Sequence, residues 1–258
     1  MEFPRLFLVG FTIIMGMMTA LWLLSLALRN ASIVDIFWGC GFVIVNFVGF
    51  CFSGQTLRQI LLTVLVTVWG LRLAAHIFRR NRNKPEDFRY ARWRMENGPR
   101  WWWVSYFKVF VVQGVLLSII AAPLLAVQAS GDRQAFTVPD TVGVVVALIG
   151  FFFEAVGDAQ LARFKADPAH AGMLMTSGLW RYTRHPNYFG DAAQWWGFFI
   201  LAAAAGAWYT VISPLLMTVL LLRVSGVTLL ENTLKERPGY EEYMRATNAF
   251  FPGPPRRQ

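Results

Sequence analysis

Apolar residues fall in seven long blocks, at about 6–28, 32–53, 58–78, 103–127, 140–162, 188–205 and 207–225. A helix needs about 20 mostly apolar residues to cross the hydrocarbon of a bilayer, and each block approaches that length. The pattern predicts an all-α integral membrane protein with seven transmembrane helices. Three polar stretches exceed simple seams: 79–102, 163–187 and the tail 226–258. The even spread of the blocks predicts one domain over 1–258, with these stretches as its two large loops and its tail.

The basic residues orient the helices. With the N-terminus outside, the inner side collects nineteen Lys and Arg, and the outer side only Arg5, Arg58 and Arg133. Cytoplasmic loops carry the excess of positive charge, so the N-terminus is expected outside and the C-terminus in the cytoplasm. The first block, with one early arginine and a long apolar run, reads as a retained span rather than a cleaved signal.

Composition agrees. The chain is 56% hydrophobic and 15% charged, against about 25% charged in a soluble domain. The net charge of +9 points to the membrane surface and anionic ligands; no nucleic-acid motif and no protein partner is implied. Cys40 and Cys51 share one apolar run without metal-ligand spacing and read as buried thiols. No metal site is expected.

Ionisable groups inside spans are costly and mark functional sites. Asp35 lies about one turn into the second block, as either a first-turn carboxylate on the helix dipole or a group that donates a proton to a ligand. Arg72 lies within the third block and needs a partner, which Asp35 or a ligand phosphate would supply. His76, one turn on, fits a core or a ligand role equally. Gln113 suits a hydrogen bond across helices. Glu154 and Asp158 are spaced i, i+4, and Lys165 follows on the same face, as either a polar groove or an internal ion-pair network.

Two loops add detail. Most arginines of 79–94 read as an anchor on anionic lipid. The core Glu86-Asp87-Phe88-Arg89-Tyr90 mixes signs and aromatics, which predicts internal pairs. Trp101-Trp-Trp103 reads as an interfacial belt. The densest chemistry is Gly178-Leu-Trp-Arg-Tyr-Thr-Arg-His-Pro-Asn-Tyr-Phe-Gly-Asp191, followed by Trp195-Trp196-Gly197; such a cluster at a helix mouth suits a charged ligand. In the tail, Tyr240 and Tyr243 are three apart, which suits an adenine or a membrane-surface helix.

Together these residues resemble the steroid 5α-reductase family (3-oxo-5α-steroid 4-dehydrogenases), in its bacterial branch, and share motifs with sterol C14-reductases. The resemblance implies a seven-helix enzyme that uses NADPH to reduce the C4–C5 double bond of a 3-oxo-Δ4 steroid or a related enone lipid. It places Asn187 and Asp191 at the nicotinamide amide, Asp158 near the adenosine ribose and phosphates, and Lys165 at a phosphate. Arg181 and Arg184 are implied as phosphate or structural contacts, and Tyr182, His185, Tyr188, Tyr240 and Tyr243 complete the cofactor set. Glu154 stands where the family has an asparagine. Asp35 corresponds to the carboxylate that hydrogen-bonds the 3-ketone, with Trp38, Trp69 and Arg72 as the implied substrate set.

One departure stands out. The family pairs that carboxylate with a tyrosine on the next helix, where this chain offers Trp69; an indole has no phenolic proton to give. No Gly-x-Gly-x-x-Gly fingerprint occurs, so the cofactor is expected between helices, facing the cytoplasm of a bacterial inner membrane. The alternative is a membrane methyltransferase of the isoprenylcysteine carboxyl methyltransferase type, which shares an Arg-His-Pro-x-Tyr motif but uses S-adenosylmethionine. Asn187, Gly190-Asp191 and Asp35 favour the reductase.

Overall fold

The computed structural model describes residues 1–131, 135–224 and 226–256, and every regular element among them is helical. Five helices are long and apolar enough to cross a membrane: Phe3–Leu28, Ile33–Cys51, Leu57–Asn81, Phe88–Ile120 and Val138–Ala166. The protein is therefore an all-helical integral membrane protein. The sixth block forms a helix as long as Ile33–Cys51 but more polar, and the seventh a shorter, interrupted one. Pro186–Ala204 carries Asp191 in its second turn, and the apolar stretch Trp208–Val224 is too short to meet the same length. Arg133, counted above to the outer side, and Arg257, counted to the inner one, lie outside the described residues.

The chain packs as two compact units, Met1–Thr137 with Leu201–Thr210, and Val138–Ile200 with Val211–Gln258. In the first, α1 (Phe3–Leu28) starts with proline in its first turn, where the missing N–H costs nothing. It ends at Arg29, whose φ of 51° places it in the left-handed region. α2 (Ile33–Cys51) and α3 (Leu57–Asn81) form a hairpin. Its second helix opens with a capping box between Thr56 and Gln59, which satisfies N–H groups the first turn leaves open.

The hairpin crosses at Gly39 and Gly70, where a Cβ on either residue would run into the carbonyl of the other. Near the Cys51 end of α2 a buried amide cluster fastens the hairpin to α7 (Ala122–Gln128). Gln128 Nε2 donates to Asn46 Oδ1 and Thr63 Oγ1, both at 3.0 Å. Gln59 Nε2 donates to the Val127, Gln128 and Ser130 carbonyls. Buried amides in a membrane protein need such partners, because lipid offers none.

The loop expected at 79–102 is ordered in its second half as α4 (Phe88–Asn97). Asp87 caps it by accepting the Arg89 N–H at 3.0 Å, and Gly98, at φ 50°, closes it. After a 3-10 turn the helix resumes as α5 (Trp101–Ser105), passes through a π-helical stretch at Tyr106–Val111 and continues as α6 (Val112–Ile120). Wide turns of this kind are common at functional positions.

In the second unit, α8 (Val138–Ala166) lies against α9 (Pro186–Ala204) along a line of glycines seven residues apart. A Cβ on Gly150 would sit 2.5 Å from the Gly190 carbonyl oxygen, and one on Gly190 would sit 2.5 Å from that of Gly150. At Gly197 it would come within 2.7 Å of the Gly143 oxygen, and at Gly157 within 3.1 Å of Pro186. Two backbones in such contact bring polar side chains together that bulkier residues would hold apart. The unit continues through α10 (Ile212–Val219), α11 (Val227–Leu234) and α12 (Tyr240–Ala246).

Much of the outer surface is apolar, with Leu8, Leu23, Phe47, Val64, Phe107 and Phe152 among the exposed side chains. In a chain of this composition that surface faces lipid. It also corrects the expectation for the cysteines. Cys40 is half-buried and Cys51 exposed, because the second helix turns that stripe outward near its far end.

Candidate functional site

The first polar cluster lies within the first unit, where α4 meets the start of α2. Asp35, in the first turn of α2, accepts the Tyr90 hydroxyl at 2.8 Å and an Arg89 N–H at 3.3 Å, one on each carboxylate oxygen. Gln113 of α6 donates from Nε2 to the Tyr90 oxygen at 3.1 Å. Tyr90 is buried. The phenol therefore links one carboxylate to one amide, with its single proton directed at Asp35.

Helix α4 is held in place by pairs the mixed-sign loop had promised. Arg94 forks onto both oxygens of Glu86, at 2.9 and 2.8 Å, the strongest geometry for this pair. Glu86 Oε1 also accepts the Ala31 N–H at 2.6 Å. Arg89 donates from Nε to Asp87 at 2.9 Å. Burial alone would raise the Asp87 carboxyl, but the side-chain and backbone N–H groups of Arg89 hold it below its usual value. Lys108 sits 4.4 Å over the Trp93 ring and Arg94 lies 5.6 Å from that of Trp101.

The structure thus brings Asp35 to residues that spacing could not show. Trp69, the nearest sequence substitute for the family's tyrosine, is wholly buried, its ring 5.7 Å from that of Phe42. Trp38 packs on the other edge of the same Phe42 at 5.6 Å. These indoles build the wall of α2 and α3, and the phenol comes instead from α4. Arg72 and His76 are half-buried on α3.

The second cluster lies within the second unit, around the start of α9. Asn187 donates from Nδ2 to Asp158 Oδ1 at 3.1 Å, so two of the expected cofactor residues are direct neighbours. Gly157, Asp158 and Gln160 position the motif: Trp180 Nε1 donates to the Gly157 carbonyl, and the Leu179 N–H to Gln160 Oε1 at 2.9 Å. Gln194 donates to Glu154 at 2.6 Å, deep between α8 and α9. Asp191 is half-buried one turn beyond Asn187, and the His185 and Tyr188 rings stack at 5.6 Å. Lys165, Arg181 and Tyr182 are exposed.

Three expected cofactor contacts have a different setting. Arg184 is buried and spends its guanidinium on the protein: two bonds to Glu231, at 2.9 and 2.6 Å, and bonds to the Met244 and Thr247 carbonyls. These contacts are those of the structural role, one of the two kept open for it. Tyr240 and Tyr243 are also buried, and the Tyr243 hydroxyl donates to the Trp180 carbonyl. Their rings lie in the core of the second unit.

Burial pushes both phenols above their usual value. Glu231, which sequence reasoning missed, is the hub. The His185 hydrogen bond, followed by those of Arg184, holds it at about 2 despite its burial. The chain end then returns over the motif, with Arg184 N–H on the Asn248 carbonyl, Thr183 Oγ1 on that of Phe250 and Gly253 N–H on that of Tyr182.

Among known proteins, the chain is similar to an uncharacterized protein of Schizosaccharomyces pombe, 26% identical over 226 residues, covering 77% of this chain. It spans 65% of that relative's length, just under two thirds. No solved structure matches. The model of one family, described as protein of unknown function (DUF1295), matches residues 21–247. That span takes in both polar clusters, and the chain belongs to the DUF1295 family.

Proposed function

We propose that this protein is an NADPH-dependent reductase of enone lipids, acting on the C4–C5 double bond of 3-oxo-Δ4 steroids or on a related α,β-unsaturated ketone. The observation that carries the reading is the Tyr90 hydroxyl on the Asp35 carboxylate at 2.8 Å. The residue type that the resemblance requires beside the carboxylate is present, supplied by another element. The family is steroid 5α-reductase-like, which supports the same class of chemistry.

Adding a hydride to the β-carbon of an enone drives electrons onto the ketone oxygen. A donor fixed at that oxygen stabilises the developing enolate. Tyr90 and Asp35 share one proton on a short path, and either oxygen can present it to a ketone. Gln113 donates into the phenol and Arg89 into the carboxylate, so both are oriented before substrate arrives. Pre-set donors of this kind contribute about 10²–10³ in rate.

The second cluster supplies the residues to hold NADPH, which contributes the hydride. The Asn187–Asp158 amide–carboxylate pair, with Asp191 one turn on, has the donors and acceptors a carboxamide needs. Exposed Lys165 and Arg181 suit phosphates. In this reading the helices make seven spans, with the N-terminus outside and the cofactor residues facing the cytoplasm of a bacterial inner membrane.

The test is ligand-dependent stability of the purified protein in detergent. NADPH is expected to raise its melting temperature, and S-adenosylmethionine to leave it unchanged. Stabilisation by S-adenosylmethionine alone would assign the methyltransferase chemistry instead.

A further inference from the structure

Helix α4 has two faces. Arg89, Tyr90, Trp93 and Arg94 turn inward, and Phe88, Arg92, Met95 and Glu96 turn outward. Phe88 and Met95 are one heptad apart and 65% and 77% exposed, so they stand in one stripe with Arg92 between them. The segments on either side continue this character: Arg79, Arg80, Arg82 and Lys84 precede the helix, Arg100 follows, and all are exposed. Trp102 and Trp103 project just beyond. The nearby acids are neutralised within the protein, Glu86 by Arg94, Asp87 by Arg89 and Glu96 by Arg92. The outward face therefore carries two large apolar side chains beside a neutralised Arg92–Glu96 pair, with cations on the segments at either end.

We infer that α4 lies on an anionic phospholipid surface, with Phe88 and Met95 set at the boundary between headgroups and acyl chains and the flanking arginines on the headgroup phosphates. An amphipathic segment of this kind binds through buried apolar area together with attraction to anionic lipid. The consequence reaches the first cluster directly. Phe88 and Met95 bracket Arg89 and Tyr90 on one ten-residue helix. A bilayer that holds the outer face of α4 therefore also holds the phenol on Asp35. Surface charge of the membrane becomes a determinant of whether the pair is assembled.

The experiment reads amide hydrogen exchange over 86–97 in the full chain, reconstituted into phosphatidylcholine nanodiscs with or without phosphatidylglycerol. Anionic lipid is expected to slow exchange in this segment by on the order of tenfold, through closer residence of the helix on the surface. The slowing is expected to vanish at about 1 M salt, where the screening length falls to about 3 Å. It is also expected to vanish in Phe88→Ser/Met95→Ser, whose substitutions touch only the outward face. Equal exchange in the two bilayers overturns the inference, and that wild-type comparison needs no variant. Protection that follows protein density rather than lipid charge would give the face to a second copy of the chain, and equally overturns it. Exchange over α1–α3 serves as the folding control.

Discussion

Tyr90 and Asp35 are 55 positions apart and meet at 2.8 Å, the phenol donating to the carboxylate. Neither residue supplies this chemistry by itself. A carboxylate in the first turn of a helix is ordinary, and a tyrosine in a basic loop more so; together they form a hydrogen-bonded pair within the first unit.

Tyr90→Phe keeps the ring and removes the proton. Steady-state turnover of an enone substrate is expected to fall by about a hundredfold or more, with NADPH affinity measured by fluorescence unchanged. Unaltered turnover would remove Tyr90 from the chemistry.

Gln113→Leu leaves the phenol in place but unsupported on its far side. A smaller loss, on the order of tenfold, is expected in turnover. A pH–rate profile should move with it, since the amide donates to the phenol oxygen. A destabilised protein with an unmoved profile would make Gln113 purely structural.

The α8–α9 crossing predicts a size limit. Gly150→Leu and Gly190→Leu each place atoms on a facing backbone, and should lower stability by about 3 kcal/mol or prevent folding. Gly16, which has open space around its Cβ position, should accept alanine with no measurable loss. Thermal unfolding in detergent separates the two.

The hub at Glu231 predicts acid sensitivity. Its carboxyl is held at about 2 in the folded protein, below its value in an unfolded chain. The stability it contributes is therefore complete above about pH 4.5 and is lost as the pH falls toward 2. The linked contribution is at most about 3 kcal/mol. Glu231→Gln should be less stable at neutral pH, and its melting temperature should change less between pH 4.5 and 2. Parallel pH curves for the two proteins would contradict the role of the carboxylate.

Much of the fold was legible because lipid imposes a single demand, a long run of apolar residues, and α1–α3 and α8 match the expected blocks to within about four residues at each end. The later blocks show where that signal weakens: α9 carries Asp191, and the stretch after it contains Pro214 and a π-helical end. The internal pairing of the Glu86–Arg94 loop was foreseeable from its mixed signs. That Tyr90 would reach Asp35 was not, because a ten-residue polar helix has two faces and nothing local says which turns inward.

The motif around Arg184 left two roles open for a related reason. An arginine beside a histidine and an asparagine looks like a phosphate ligand. Its true partners, Glu231 and the Met244 and Thr247 carbonyls, come from a tail whose return is decided by tertiary packing. The glycines of α8 and α9 were present in the sequence at seven-residue spacing, and their meaning emerges only when the two helices are seen in contact.

The most direct measurement of the central claim uses NADPH carrying deuterium at the transferable position, with a panel of 3-oxo-Δ4 steroids and simpler enone lipids. The wild-type protein is expected to consume the cofactor and yield a saturated ketone with one deuterium at the former β-carbon, detected by mass spectrometry. Tyr90→Phe should give little or none. No cofactor consumption and no labelled product across the panel, from protein shown to be folded, would contradict the assignment.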